Sequence, residues 1–157
     1  MTIPYRGSTG NGTYFITAST HEKQSILQSE RMAALLMNVL SHYQQQGKYW
    51  LHEFVIMPDH FHLLITPKPT VSIEKAIQFI KGGFSFRAKK ELQFTGEVWQ
   101  SSFYDHRVRD ASEYARFRNY IQMNPVRRRL APVPEDFPFS SVRIKLDELP
   151  HWLKPAA

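Results

Sequence analysis

KYWLHEFVIMPDHFHLLIT, residues 48–66, decides the fold. Two runs rich in β-branched and aromatic residues, 48–57 and 60–66, flank Pro58-Asp59, a turn-forming dipeptide, so the segment reads as a hairpin of two strands. Side chains alternate across a strand. His60, His62 and Leu64 therefore share one face, and Phe61, Leu63 and Ile65 share the other. The second set is wholly apolar and belongs against helices, which puts both imidazoles on the opposite face. A strand that only fills a core has no need of two histidines.

Working outward, TYFITAS (13–19) has the composition of a strand. Between Gln24 and Gln46, Ile26, Ala33, Leu36, Met37, Leu40 and Tyr43 recur at helical spacing, and Gly47 closes the helix. A second helical stripe runs through Ile73, Ala76, Ile77 and Ile80. Gly82-Gly83 interrupts it, and FSFRAKKEL (84–92) can continue as helix. EVWQSSFYDHRVR (97–109) reads as a further strand or strand-like edge, and ASEYARFRNYIQM (111–123) as a third helix. Pro125 marks that helix's end, because the residue before proline avoids helical geometry. The order is β-α-β-β-α-β followed by a helix. This is an α+β, ferredoxin-like arrangement: a four-stranded antiparallel sheet with two helices on one face, the other face being free for a ligand or another helix.

The 157 residues suit one domain, taken as 1–130, with a tail from 131 to 157. The Gly- and Ser-containing opening, 1–12, is expected to be mobile. The tail is expected to be extended with one short element, and DELPHWL (147–153) to dock through Trp152. No apolar run approaches the roughly 20 residues of a membrane span. With no targeting pattern at the N-terminus, the cytoplasm is the expected compartment. The absence of cysteine excludes disulfides, zinc–thiolate sites and thiol nucleophiles. The net charge is +6, and arginines at 107, 109, 116, 118, 127, 128 and 129 concentrate it, which favours a polyanionic partner.

Two imidazoles at strand spacing can hold one divalent ion. Asp59 is either a further ligand, an acceptor that orients a histidine, or simply part of the turn. The alternative for the pair is two half-buried histidines satisfied by the backbone. His21, His42, His52, His106 and His151 read as surface or packing residues. A two-histidine site is incomplete, and RFRNYIQMNPVRRRL (116–130) is the candidate for the remainder. Tyr120 and Asn124 are four apart and share a helix face. Tyr120 borders the apolar stripe of Tyr114, Phe117 and Ile121, and its other reading is a rim tyrosine. Asn124 could equally cap the helix before Pro125.

MPDHFHLLI, then VWQSSFYDH, then RNYIQMNPVRR together resemble the REP-associated tyrosine transposases, of the single-tyrosine branch of the HUH endonuclease superfamily. The resemblance spans roughly residues 13–130. It implies a ferredoxin-like domain that cleaves and rejoins single-stranded DNA beside hairpin-forming palindromic repeats, through a 5′-phosphotyrosine. By position it makes His60 and His62 metal ligands, Tyr120 the nucleophile and Asn124 a further ligand, with Mg2+ or Mn2+ as the ion. It also favours a monomer over a dimer. Lys81, Arg87, Arg107, Arg109, Arg116, Arg118, Arg127 and Arg128 are the expected DNA contacts. Phe84, Phe86, Trp99, Phe103 and Tyr104 lie among basic residues that include Lys89 and Lys90, a pattern able to stack unpaired bases; at least half of these rings are expected in the core. A non-catalytic single-stranded nucleic-acid-binding module of the same fold is the alternative, and it leaves the histidine pair and Tyr120 without a role. A metal-dependent barrel hydrolase would need about 250 residues.

Overall fold

The computed structural model describes residues 12–150 and 153–154. The expected mobility of the N-terminal segment, Gly12 apart, and the docking of Trp152 lie outside the described residues. Strands β1 (Tyr14–Ser19), β2 (Tyr49–Met57), β3 (His60–Pro67) and β4 (Tyr104–Arg107) form one sheet in the order β2-β3-β1-β4. Every neighbouring pair is antiparallel. Helices are α1 (Glu30–Gln45), α2 (Ile73–Leu92) and α3 (Ala111–Arg127). The hairpin forms as the sequence dictates: Met57 pairs with His60, Ile56 with Phe61 and Val55 with His62 across the Pro58-Asp59 turn.

On one face, Ile16, Ile56, Phe61, Leu63 and Ile65 pack against Leu36 and Leu40 of α1 and Ile77, Ile80 and Phe84 of α2. Each such side chain, fully buried, contributes roughly 1.5–3 kcal/mol against exposure. The opposite face is not free. α3 lies across it, and Tyr114 and Ile121 close a second core with Phe15, Val55, Met57, Leu64, Val108 and Leu153. His60 and His62 are consequently buried, at 5% and 4% exposure, where an open sheet face was expected.

Several boundaries differ from the expectation for local reasons. The first helix begins at Glu30, after the Ser29 cap, and not at Gln24. Residues 20–28 are held to the hairpin turn instead: the Thr20 amide donates to the Asp59 carbonyl at 2.9 Å, and the Leu27 amide to the Pro58 carbonyl at 2.9 Å. A helix started at Gln24 would turn the Leu27 amide to the carbonyl four residues back and forfeit the second of these bonds. Gly82-Gly83 does not interrupt α2. A Cβ on Gly83 would stand 2.6 Å from the Tyr43 hydroxyl, so glycine here permits close approach of α1 to α2, whereas Gly82 faces open space. Pro125 lies inside α3, which runs on to Arg127. The amide that proline lacks is the cost, yet the next turn closes through Arg128 N–H to the Asn124 carbonyl at 3.1 Å. Asn124 is therefore an interior helix residue and not a cap. Of residues 97–109 only Tyr104–Arg107 form a strand; the preceding loop still follows β1 through a Thr20–Trp99 bridge.

The chain after α3 contains two short 3-10 turns, Pro134–Asp136 and Ser141–Arg143. It returns along the outer side of β2. The Ile56 amide donates to the Phe139 carbonyl at 2.8 Å, and the Phe54 amide to the Ser141 hydroxyl at 2.9 Å. The Leu51 amide donates to the Asp147 carboxylate at 2.9 Å. His52, buried, bridges the Asp147 carbonyl and the Thr66 hydroxyl through its two ring nitrogens, a packing role as expected.

Candidate active site

β3 and α3 bring together four of the residues singled out in the sequence. The His60 and His62 rings lie 4.7 Å apart, centroid to centroid, and the Tyr120 ring is 5.3 Å from His62. Tyr120 is 42% exposed, so its phenol is accessible. Asn124, one turn further along α3, is buried at 4%. Each histidine is anchored through Nδ1: His60 to the Asp59 carboxylate at 2.7 Å, His62 to the Thr17 hydroxyl at 2.8 Å. That leaves Nε2 of each ring as the nitrogen available to a ligand. Asp59 thus stands behind His60 as an acceptor.

The electrostatics keep both rings neutral. Burial, followed by the neighbouring His60, pushes the His62 pKa down to about 3. Burial likewise lowers that of His60, against the opposing pull of Asp59. Partial burial works against the Asp59 charge, but the His60 bond and nearby cations overcome it and hold its carboxyl below the usual range. Neutral imidazoles are the form that binds metal. Among the described residues three buried side-chain atoms lack a hydrogen-bond partner: His62 Nε2, Asn124 Oδ1 and His106 Nε2, the last lying 3.0 Å from the Glu113 carboxylate. Such orphans are costly unless something occupies them. Two imidazole nitrogens and an amide oxygen make a donor set suited to a divalent ion such as Mn2+ or Mg2+. Among the described residues no group of three His, Cys, Asp or Glu side chains is placed to hold a metal ion.

The basic residues separate into groups. Arg127 sits over the Tyr120 ring at 5.3 Å. Arg128 acts electrostatically on Asp59, His60 and His62. Arg109 and Arg116 reach the buried Glu113 carboxylate, at 3.0 and 3.7 Å, and His106 does so at 3.0 Å. Burial opposes the Glu113 charge, but the Arg109 amide and guanidinium and then His106 hold its pKa down to about 2. Arg118 pairs with Glu53 of β2 at 3.3 Å. Arg107 pairs in register with Tyr14, on the α1–α2 side of the sheet edge. Lys81 and Arg87 are on α2, in the layer across the sheet from α3. Lys81 donates to the Gln100 and Ser102 carbonyls, and Arg87 to Glu91 and Asn38. Of the five rings, Phe84 is in the core, Trp99 and Phe103 pack against it, and Phe86 and Tyr104 are exposed at 64% and 56%.

Sequence reasoning missed Lys23. It acts on the same three groups as Arg128 and lies in the loop tied to Asp59 through Thr20. Glu22 and Lys23 have φ of 53° and 58°, consecutive left-handed residues without glycine. Strain of this kind gathers at functional sites. The only hint in the sequence is a lysine a few residues beyond the first strand, which no pattern distinguishes.

Residues 8–124 match the family described as Transposase IS200 like. A Haemophilus influenzae protein assigned to the REP-associated tyrosine transposases is 30% identical over 153 residues, covering 87% of this chain and 82% of its own. The REP-associated tyrosine transposase of Escherichia coli K12 is 24% identical over 131 residues, covering 83% and 76%. A REP-associated tyrosine transposase solved bound to a REP hairpin superposes with a TM-score of 0.72 at 22% identity, over 84% of this chain and 77% of that one, which shows the shared fold. An exposed tyrosine beside a paired-histidine strand, on this fold and with these relatives, has one family assignment: the chain belongs to the IS200-like transposases, in their REP-associated tyrosine branch.

Proposed function

We propose that the chain cuts and rejoins single-stranded DNA beside hairpin-forming palindromic repeats through a covalent bond to Tyr120. The observation that carries this reading is the exposed Tyr120 ring 5.3 Å from His62, next to two buried acceptors, His62 Nε2 and Asn124 Oδ1, that lack partners. Membership of the family, and the hairpin bound by the related structure, support the substrate.

In this reading His60, His62 and Asn124 would hold a divalent ion, which when bound would supply positive charge to offset the charge that develops on the scissile phosphate. Thr17 and Asp59 hold the imidazoles in orientation, and α3 excludes water from them. The Tyr120 oxygen attacks phosphorus in line, its proton being lost to solvent or a neighbouring base. The P–O3′ bond breaks, and the leaving oxygen takes up a proton to become a free 3′-OH. The other product is a 5′-phosphotyrosine. Attack by a 3′-OH on that linkage reverses the exchange and releases the phenol, so strands are rejoined without a nucleotide cofactor. Arg127 and Arg128, with Lys23 across from them, bring positive charge to the phosphates that flank the cut.

The test is a labelled hairpin oligonucleotide with single-stranded flanks, incubated with protein and Mn2+ or Mg2+ and run on a denaturing protein gel. A labelled adduct is expected from the wild type and none from Tyr120→Phe. Hairpin binding with no adduct from the wild type would instead make the chain a binding module.

A further inference from the structure

Beside Tyr120 lies a cavity that the chemistry above does not use. It measures about 310 Å3 and is lined chiefly by Phe15, His62, Tyr104, Arg116, Phe117 and Tyr120. Small-ligand sites begin at about 300 Å3, so it has room for one flat ring system and little more. Phe15, 5% exposed, forms its floor, stacked on Phe117 at 4.3 Å and on His62 at 5.3 Å. Tyr104 and Tyr120 both stand nearly upright on that floor, at interplanar angles of 70° and 78° to the Phe15 ring.

Tyr104 reaches this cavity by register. It pairs with Thr17 across β1 and β4, and Thr17 pairs with His62 across β1 and β3, so the three side chains share the α3 face. A single exposed aromatic needs no explanation. Tyr104 is different, because its 56% exposed ring forms a wall of a cavity whose other wall is the tyrosine at the centre of the site.

We propose that this cavity receives the unpaired base of the nucleotide next to the scissile phosphate, with Tyr104 as its stacking wall and Arg116 beside the entering backbone. The inference rests on Tyr120 being the nucleophile. A phosphate within reach of the Tyr120 oxygen brings the adjoining base to the mouth of the cavity. The rings offer π-faces and an apolar floor, which suit a base and not a sugar or a phosphate. Arg116, 71% exposed at its side chain and only 3.7 Å from Glu113, supplies the charge that the backbone needs. A base held in a helix cannot enter, so the cavity selects single-stranded over duplex flanks. Stacking on an aromatic tolerates any base identity, so Tyr104 is a positioning residue that sets strandedness and not sequence.

The experiment uses the flanked hairpin, with an abasic site walked through the flank, and Tyr104→Ala, Tyr104→Phe and Tyr104→Trp. Expected is one flank position at which the abasic site slows adduct formation by about tenfold. Tyr104→Ala should slow the intact substrate equally, the two losses should not add, and the aromatic variants should restore the rate. Losses that multiply, or no loss in Tyr104→Ala, overturn the proposal; loss of the adduct in Tyr104→Phe would overturn it too, by making Tyr104 a nucleophile. A second arm needs no cleavage: in a Tyr120→Phe background, fluorescence anisotropy of the same oligonucleotides should show Tyr104→Ala losing affinity for the intact flank only. If the wild type forms no adduct but this pattern holds, the nuclease reading falls and the cavity's register to a scissile phosphate falls with it, leaving only base stacking on Tyr104. If an adduct forms and is indifferent to Tyr104, the base pocket falls and the nuclease reading stands.

Discussion

β3 presents two surfaces built to different ends. Toward α1 and α2 it offers Phe61, Leu63 and Ile65, each 0% exposed and apolar throughout. Toward α3 it offers His60 and His62, equally withdrawn from water but polar, with Asn124 and Glu113 buried on the facing helix. The first surface gains stability by excluding water. The second gives some of that up, because desolvated imidazoles and an unpartnered amide oxygen each disfavour folding. On β3 the buried imidazoles are thus confined to the face toward α3, and the wholly apolar face packs against α1 and α2.

That contrast can be broken by substitution. The largest effect is expected from His62→Ala. Adduct formation should fall by at least about a hundredfold, since charge stabilisation of this kind is worth several kcal/mol, while the urea midpoint moves little. Leu63→Ala, one residue away on the dry face, should do the opposite: a loss of about 2–5 kcal/mol in urea unfolding, with unchanged activity per folded molecule. Should the two substitutions destabilise alike, the division of labour between faces would be wrong. Asp59→Ala tests the support behind His60, and Mn2+ titration by calorimetry should show affinity weakened about 10- to 100-fold.

Acid sharpens the comparison. The folded Glu113 carboxyl is held down to about 2, below its ordinary 4.5. The folded state thus binds fewer protons than the unfolded one, and the stability from this group is fully present above about pH 4.5 and lost as pH falls toward 2. His106, Arg109 and Arg116 all face this carboxyl, and Asp110 accepts from the Glu113 amide. Glu113→Gln should flatten the urea midpoint against pH in this window, and an unchanged slope would remove Glu113 from the account. The smallest effect lies in α2. Gly82→Ala should raise stability by up to about 1 kcal/mol, whereas Gly83→Ala should not, because its methyl group meets Tyr43.

The dry face was legible in the sequence because alternation in 60–66 is a local signal, and so was the hairpin that carries it. The His60–His62 pair and its link to Tyr120 were also legible, the first through spacing and the second through family resemblance. What escaped depends on contacts between distant segments. A helix was one of the two occupants expected for the second face; that Tyr114 and Ile121 of α3 seal it against Phe15 and Leu64, burying the histidines, is what no local pattern reveals. The late start of α1 depends on Thr20 and Leu27 reaching the hairpin turn, and the continuity of α2 on a tyrosine in another helix. Pro125 misled because its local cost is outweighed by the packing of the helix it interrupts. Lys23 and Glu113 act through partners outside any motif, so nothing in their own neighbourhood announces them.

The chain beyond α3 has a consequence for how many molecules share one sheet. β2 is an outer strand, and an outer strand with free amides and carbonyls is a template on which a second chain can add. Phe139, Ser140, Ser141 and Asp147 occupy that template from within the same molecule. Growth of the sheet on this side is thereby closed, and any sheet-to-sheet association would have to use the four-residue β4, whose Tyr104 lines the cavity beside Tyr120.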